Sequence, residues 1–379
     1  MGVYDELGVK KLINAWGTVT KIGGSKMPPE VLQAMCEAAQ AYVDINELLN
    51  KAGKRIAELL GCEAAFITSG AAAGLAVATA ACMAGTDPVK IARLPDTSGM
   101  KNEVIILKCH RFRYDQAVRM TGAKLIEVGL ADRTLPEEIE AAINERTAAI
   151  LYVAESEHVR GSLPLDKVVI IAKKYKVPVI VDAAAELPPV ENLRRYLDTG
   201  ADLVIFSGGK DIRGPQSSGL ILGNESLIKA CAANSCPNHG IGRPMKVDKE
   251  TVIGLLKAIE IYLQQDFVRE MQRWEEMIQY FVDQLKELPG IKVWRGFPSE
   301  PGIQPACIPR AYIEVNERQL GMSIKDIQSK LFEGDPGIVV GTFEKGLVLN
   351  PHMLEDGEEK IIVDRFKKIL GAIKQCAFW

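Results

Sequence analysis

From about residue 60 onward, short runs of apolar and β-branched residues alternate with stretches whose apolar residues recur at helical spacing. The apolar runs are continuous, which is typical of strands in a parallel sheet covered by helices on both faces. We therefore predict an α/β fold with a mostly parallel, seven-stranded sheet sandwiched by helices. The predicted strands are AAFIT (64–68), EVIIL (103–107), AKLIEV (123–128), AAILYV (148–153), VPVIVD (177–182), DLVIFS (202–207) and GLILG (219–223).

The pattern changes after the predicted sheet to one long helical region, 249–288, which ends at a Pro-Gly stop. Shorter strand and helix patterns follow it and indicate a small α+β domain. The predicted organisation is an N-terminal segment (1–20) packing on the small domain, a large domain (21–249), and a linking helix with the small C-terminal domain (250–379).

Composition and charge narrow the function classes. The chain has 379 residues, 47% of them hydrophobic, and a net charge of −3 without a basic block, so nucleic acid is not an expected partner. No long uncharged apolar run and no secretory signal pattern is present, and we expect a cytoplasmic protein. The eight cysteines, Cys376 among them, form no CxxC pair and the four histidines are isolated, so we expect reduced thiols and no metal site.

Ligands of such sheets bind at the carboxyl ends of the strands, and the first polar feature there is Thr68-Ser69-Gly70. A small-residue helix pattern begins immediately afterwards, and the free N–H groups of a helix N-terminus suit a phosphate. Ser69, Gly70 and Ala71 are therefore candidate phosphate ligands. The alternative is a capped helix that packs closely through its alanines.

Two charged residues follow other predicted strands. Asp182 ends VPVIVD, where an aspartate is costly to bury unless it is paired, and it could instead cap a helix or pair with an arginine. Lys210 follows DLVIFS in SGGKDIRGPQSSG, where desolvation could lower its pKa and make its amine a nucleophile. The alternatives for Lys210 are a surface lysine or a phosphate ligand.

Together these residues describe one cofactor. Pyridoxal phosphate needs a lysine, a carboxylate beside its pyridine nitrogen and a phosphate site. In the order of these residues the chain resembles the fold-type I pyridoxal-phosphate superfamily over nearly its whole length. The segments INAWGTVTKIGGSKMP, SGGKDIRGPQSSG and GRPMKVDKETVIGLLKAIE resemble the selenocysteine synthase (SelA)-like family and its lyase relatives, most of all the D-glucosaminate-6-phosphate ammonia-lyase type.

The resemblance implies roles for individual residues. Lys210 would carry the cofactor and move the α-proton, Asp182 would keep the pyridine nitrogen protonated, and Ser207 would add a phosphate contact. His110 would be a catalytic residue stacked on the cofactor ring, or else a capping or surface histidine. Arg243 would lie near the site, reaching phosphate from a neighbouring subunit, or else be a plain surface arginine.

The substrate residues follow from the same resemblance. Glu155, His158 and Arg160 lie after AAILYV and would contact the cofactor or substrate, unless they form an exposed turn. Arg213 could contribute to a substrate phosphate site. Relatives use an arginine of the C-terminal domain for the substrate carboxylate, whereas His352 stands at that place here, with Asn350 beside it.

The implied function is a lyase that removes water and ammonia from a 2-amino-3-hydroxy sugar acid, such as D-glucosaminate 6-phosphate, to give a 2-keto-3-deoxy acid. The alternatives are an L-seryl-tRNA(Sec) selenium transferase-like enzyme, another pyridoxal-phosphate lyase, aminotransferase or racemase, and a cofactor-bearing protein without catalysis. The expected partners are a small-molecule substrate and further copies of the chain, as a homodimer or higher homo-oligomer, with no nucleic acid and no membrane.

Overall fold

The computed structural model describes residues 2–298 and 305–371, so Cys376 and the end of the predicted C-terminal helix lie outside the described residues. The strands are β1 Leu12–Ala15, β2 Ala64–Thr68, β3 Glu103–Leu107, β4 Lys124–Val128, β5 Thr147–Val153, β6 Val179–Asp182, β7 Leu203–Ser207, β8 Gly219–Gly223, β9 Ile291–Gly296, β10 Arg310–Val315, β11 Gly337–Phe343 and β12 Gly346–Leu349. The helices are α1 Val3–Glu6, α2 Pro29–Ala39, α3 Ile45–Leu60, α4 Ala71–Ala84, α5 Pro88–Arg93, α6 Asp115–Arg119, α7 Pro136–Ala142, α8 Leu165–Tyr175, α9 Asn192–Thr199, α10 Glu225–Asn234, α11 Lys249–Tyr262, α12 Phe267–Leu285, α13 Glu317–Leu320, α14 Ile324–Glu333 and α15 Glu358–Gly371.

The larger sheet has seven strands in the order β2-β8-β7-β6-β5-β3-β4. Strand β8 is antiparallel to both of its neighbours, and the other adjacent pairs are parallel. Every residue of β3, β5, β6 and β8 is buried, as expected for strands with helices on both faces. The predicted α/β fold and all seven of its strands are confirmed.

Helix α4 brings a helix N-terminus to the carboxyl end of β2. The helix is built almost wholly of small residues, and most of them are buried against the sheet. A Cβ on Gly74 would lie 2.9 Å from Ile205 Cγ2, so only glycine permits this approach of helix and strand.

The described chain divides into two compact units: the larger comprises Lys26–Gln265, and the smaller comprises residues 2–25, 266–298 and 306–371. The expected boundary near residue 250 is therefore moved to 265/266. The predicted long helix is two helices, α11 and α12, because the Asp266 side chain accepts a hydrogen bond from Arg269 N (3.0 Å) and caps a new start. Helix α11 packs on α2 and α3 and so belongs to the larger unit.

The smaller unit contains a five-stranded sheet in the order β1-β11-β12-β10-β9. Strand β1, which the sequence pattern did not predict, pairs in parallel with β11 and so joins the N-terminal segment to this unit. The core contains Phe281, Ile313, Leu347 and Phe366, all without exposed surface. Among the described residues, none of the helices has the length and apolar character that a membrane crossing requires.

Candidate active site

Lys210 lies three residues beyond the end of β7, in a tight loop that returns to β8. Gly208 N donates to Ser218 O (2.9 Å) and Gly214 N to Gly208 O (2.8 Å), which folds the loop onto itself. A Cβ on Gly208 would lie 2.1 Å from Ser218 Oγ. The glycine is thus required by close packing, and the lysine that follows it is held half-buried at the carboxyl end of the sheet.

Asp182 and Glu155 lie beside this lysine because β5, β6 and β7 are neighbouring parallel strands whose carboxyl ends meet. Asp182 is 7% exposed, and its Oδ1 accepts a hydrogen bond from Ala184 N (3.0 Å). Burial raises the pKa of Asp182, while the Ala184 N–H and the Lys210 charge act to lower it.

The Lys210 pKa shift has the opposite direction. Burial lowers the pKa of this amine, and the negative charges of Asp182, Glu155 and Glu186 act against that effect. Since burial has the larger effect, the amine is more readily deprotonated than a lysine in water. This is the electrostatic setting in which a lysine amine acts as a nucleophile and as a base.

Glu186 is a site residue that the sequence reasoning missed. Burial, together with the charges of Glu155 and Asp182, raises its pKa to about 7, although the Lys210 charge acts to lower it. Burial likewise raises the pKa of Glu155. The available signal was a carboxylate among alanines, leucine and prolines in DAAAELPP, four residues beyond Asp182.

The predicted phosphate site lies at the start of α4. Gly70 precedes the helix with φ +129°, and no side chain caps the helix, so the first-turn N–H groups are available to a ligand. A Cβ on Gly219 would lie 2.4 Å from the carbonyl carbon of Gly70. The glycine that ends SSG is therefore required because β8 passes directly beside this turn.

Ser69 and Ser207 lie at the same end of the sheet. Thr68 of β2 pairs with Gly219 of β8, which pairs with Ser207 of β7, so the three residues align across adjacent strands. Ser69 Oγ donates to Met245 O (3.1 Å), which places the segment around Met245 beside the start of α4.

The family model described as "SelA: L-seryl-tRNA selenium transferase" matches residues 12–289. The chain belongs to the SelA family. It is 37% identical to D-glucosaminate-6-phosphate ammonia lyase of Salmonella typhimurium over 97% of both chains. It is 36% identical to 5'-C-glycyluridine monooxygenase-decarboxylase of a Streptomyces species over 97% of this chain and 92% of that one.

Other relatives are more distant. L-seryl-tRNA(Sec) selenium transferase of Aquifex aeolicus is 25% identical over 96% of this chain and 85% of its own. Among solved structures, D-glucosaminate-6-phosphate ammonia-lyase superposes with a TM-score of 0.86 at 35% identity over 99% of both chains. A serine palmitoyltransferase with PLP, at 14% identity and a TM-score of 0.60, shares the fold.

Arg243 of this SelA-family chain is exposed, and its Nη1 lies 3.9 Å from Cys236 Sγ. It lies two residues before Met245, whose carbonyl accepts from Ser69. The structure thus brings the Arg243 segment to the phosphate turn, and the contact of the guanidinium with a ligand stays a prediction.

His110 follows β3 and is fully buried. The side chain has no exposed surface, its Nε2 lies 2.8 Å from Ser162 Oγ, and its Nδ1 accepts a hydrogen bond from Val153 N (3.1 Å). Burial lowers its pKa to about 4. Burial and these two contacts fix the ring in place. The catalytic role of His110 stays a prediction.

Three predicted substrate residues lie on the surface. His158 is exposed, and Arg160 is exposed with its Nη2 3.8 Å from Asp132 Oδ2. Arg213 has φ +57° and donates from Nε to Lys26 O (2.9 Å), which directs its side chain toward the backbone before α2. Arg213 N also donates a backbone hydrogen bond to Lys210 O (3.0 Å). The substrate roles of all three residues stay predictions.

His352 and Asn350 belong to the smaller unit. His352 is 5% exposed and contacts the Trp274 ring edge-on, with centroids 5.5 Å apart. Asn350 donates from Nδ2 to Trp16 O (3.1 Å) and accepts from His352 N (3.0 Å) at Oδ1. These contacts hold the end of β12 against the N-terminal segment, which is a structural use of both residues.

Proposed function

We propose that this protein is a pyridoxal-phosphate-dependent ammonia lyase for a 2-amino-3-hydroxy sugar acid. The observation that carries the proposal is the half-buried Lys210 amine beside Asp182, with its pKa lowered by burial. The uncapped start of α4 lies at the same edge of the sheet. The lyase of Salmonella typhimurium, 37% identical over 97% of both chains, supports D-glucosaminate 6-phosphate as the substrate.

The residues present fit pyridoxal phosphate. The uncapped first turn of α4, with Gly70 and Gly219 in close approach, has room and free N–H groups for a phosphate. Ser69, Ala71 and Ser207 would contribute to that phosphate site. Asp182 would hold the proton of the pyridine nitrogen, and Lys210 would carry the cofactor. When bound, the cofactor supplies a ring that withdraws electrons from the substrate α-carbon.

The residues of the chain would then divide the remaining work. Lys210 Nζ, deprotonated more readily because it is buried, takes the proton from the α-carbon. Asp182 would remain ionised beside the protonated ring nitrogen, because a nearby opposite charge favours the carboxylate. The 3-hydroxyl leaves as water, and the enamine formed hydrolyses to a 2-keto-3-deoxy acid and ammonia.

The test is incubation of the loaded enzyme with D-glucosaminate 6-phosphate, with release of ammonia and keto acid as the readouts. Lys210→Ala should abolish both release and the visible absorbance of bound cofactor. D-Glucosaminate without the phosphate is the matched substrate. A higher KM for it would indicate that the enzyme binds the phosphate of the substrate. Equal rates for wild type and Lys210→Ala would contradict the proposal.

A second candidate is an oxidative decarboxylation. The observation that favours it is the 36% identity to 5'-C-glycyluridine monooxygenase-decarboxylase, close to that of the lyase. Oxygen uptake and carbon dioxide release, followed with a glycyl nucleoside as the substrate, distinguish the two reactions. Ammonia release without oxygen uptake supports the lyase.

A selenium transferase activity is the less favoured alternative. The relative of that name from Aquifex aeolicus is 25% identical, and the net charge of −3 opposes attraction of a tRNA. A gel-shift assay with seryl-tRNA should therefore show no complex.

We also propose a homo-oligomer and a cytoplasmic location. Leu32, Tyr42 and Val43 expose apolar surface in the larger unit, which would suit contact with a second copy. The seven described cysteines are all free thiols, as is usual in a reducing compartment. Analytical ultracentrifugation of the loaded enzyme measures the oligomeric state.

A further inference from the structure

The side chain of Glu186 has no role in the proposed function. Its backbone is fixed by two hydrogen bonds, from Glu186 N to Ala183 O (3.2 Å) and from Asn192 Nδ2 to Glu186 O (2.6 Å). The carboxyl is thereby held in the loop after β6. Its Oε1 is buried and has no hydrogen-bond partner among residues 2–298 and 305–371.

A second buried polar group lies near this carboxyl. Tyr196 of α9 is 1% exposed, and its hydroxyl has no partner within the described part of the chain. The charge of Glu186 raises the pKa of Tyr196, so the two groups are close in space. A buried polar atom without a partner is unfavourable, and two such atoms near each other indicate a site whose polar groups act on a ligand.

The charges around Glu186 determine which carboxyl of this cluster is most readily protonated. Asp182 is assigned to the pyridine nitrogen, and Glu157 is paired with Arg195, with 2.7 Å between the charged atoms. Glu155 lies beside Asp182, which raises its pKa. The groups that face Glu186 are Asp182 after β6, Glu155 and Glu157 after β5, Lys210 after β7, and Tyr196 of α9.

The elimination needs one proton at the departing oxygen. Lys210 accepts a proton from the α-carbon, and the bond from the β-carbon to the hydroxyl oxygen breaks with its electron pair on the oxygen. That oxygen leaves as water only if a donor supplies a proton. A carboxylic acid that is still protonated near neutral pH is well matched to this task.

We propose that Glu186 is that acid: its carboxyl donates the proton to the departing hydroxyl, and Tyr196 is a positioning residue that hydrogen-bonds the carboxylate left behind. The inference rests on the proposed lyase function. The proton balance closes within the site, because Lys210 gains the proton of the α-carbon and returns it to Glu186 after the product has left.

The first experiment uses the cofactor-free enzyme and needs no turnover. An amine-acylating reagent is applied across a pH series, and labelling of Lys210 is quantified by peptide mass spectrometry. Because the Glu186 charge raises the pKa of Lys210, Glu186→Gln should shift the labelling midpoint to lower pH. Glu157→Gln, which removes a neighbouring carboxylate that does not act on Lys210, should leave the midpoint in place.

The second experiment separates the two proton transfers in the loaded enzyme. In deuterated water, exchange of the α-hydrogen reports Lys210, whereas keto-acid release also requires the acid. Glu186→Gln should keep exchange within about 3-fold of wild type and lower keto-acid release by about 100-fold or more. A 3-chloro-2-amino acid, whose leaving group needs no proton, should restore most of the rate, and Glu186→Asp should recover part of it.

The outcomes that overturn the inference are specific. Keto-acid release by Glu186→Gln near the wild-type rate, or equal loss of exchange and release, excludes Glu186 as the acid. An unchanged labelling midpoint would mean that the Glu186 charge does not affect the pKa of Lys210. Failure of the wild type to release ammonia contradicts the proposed function instead, and the labelling result still shows whether Glu186 acts on Lys210.

Discussion

Burial and neighbouring charge act in opposite directions at Lys210 and Asp182. Burial disfavours the charge on each group, raising the pKa of the carboxyl and lowering that of the amine, while each charge favours ionisation of the other. Removal of either charge should therefore change the pKa of the other group. This coupling yields a measurable consequence at a single residue.

Asp182→Asn should reduce kcat of the loaded enzyme by at least about 100-fold, because the ring nitrogen loses the charge that keeps it protonated. The same change removes a charge that raises the Lys210 pKa, so labelling of Lys210 in the cofactor-free enzyme should begin at lower pH. Asp202→Asn is the control, since Asp202 lies at the opposite end of β7. Unchanged turnover in Asp182→Asn would remove this residue from the site.

His110→Phe tests whether the buried histidine is structural or catalytic. Loss of the hydrogen bonds at Ser162 and Val153 should reduce the free energy of unfolding by about 2 kcal/mol. The pH dependence of kcat above about pH 5 should stay unchanged, because the pKa of about 4 leaves His110 neutral there. A lost limb of the pH profile would instead establish the catalytic role.

The residues that sequence reasoning located share a physical signal. Ser69, Asp182 and Lys210 each follow a continuous apolar strand, and strand ends in such a sheet meet at one edge. His158 and Arg160 follow a strand in the same way, yet their side chains point to solvent. Sequence indicates where a residue lies along a strand, but the direction of a side chain beyond that strand depends on tertiary packing.

At the scale of elements, prediction succeeded where one interaction dominates. The seven strands of the large sheet were found because burial on both faces makes them continuous apolar runs. Strand β1 was missed because it is short and gains its pairing only from β11, far along the chain. The break between α11 and α12 was missed because both helices keep an apolar face. Only a local feature, the Asp266 cap, marks the start of the second helix.

The approach of β8 to the start of α4 predicts the effect of one methyl group. Gly219→Ala would place a Cβ 2.4 Å from the Gly70 carbonyl carbon, and the phosphate turn would have to move. Such overpacking costs about 1–3 kcal/mol, so cofactor affinity should fall about 10-fold. A titration of the apoenzyme with pyridoxal phosphate measures it.

The matched control is Gly371→Ala at the end of α15, where an added Cβ meets nothing within 4 Å. It should leave cofactor affinity unchanged. Wild-type affinity in Gly219→Ala would show that the turn at Gly70 does not hold the phosphate.

At the scale of the whole molecule, ionisation of the buried carboxyls in the site lowers the free energy of unfolding of the larger unit. Glu155, Asp182 and Glu186 are carboxyls whose pKa is raised in the folded chain, so each binds protons more tightly folded than unfolded. Their contribution to the free energy of unfolding is fully present below the unfolded pKa. It is lost as the pH rises through the folded pKa.

Glu186 allows this effect to be measured, because its pKa moves from 4.5 to about 7. Between about pH 5 and about pH 8, wild type should lose about 2 kcal/mol of unfolding free energy relative to Glu186→Gln, which has no proton to lose. Denaturant titration of both cofactor-free proteins at the two pH values measures the difference. Glu145→Gln, which removes an exposed carboxylate outside this cluster, is the control.

The sign of this stability difference distinguishes a buried, protonated Glu186 from an ion-paired one. A carboxylate stabilised by ion pairing would have a lowered pKa, and wild type would then gain stability relative to Glu186→Gln as the pH rises. Because the Glu186 carboxyl is buried among other carboxylates, with only Lys210 opposing, the opposite slope is expected. A gain for wild type would mean that Glu186 is ionised at neutral pH, and the carboxyl could not then serve as the proton donor of the elimination.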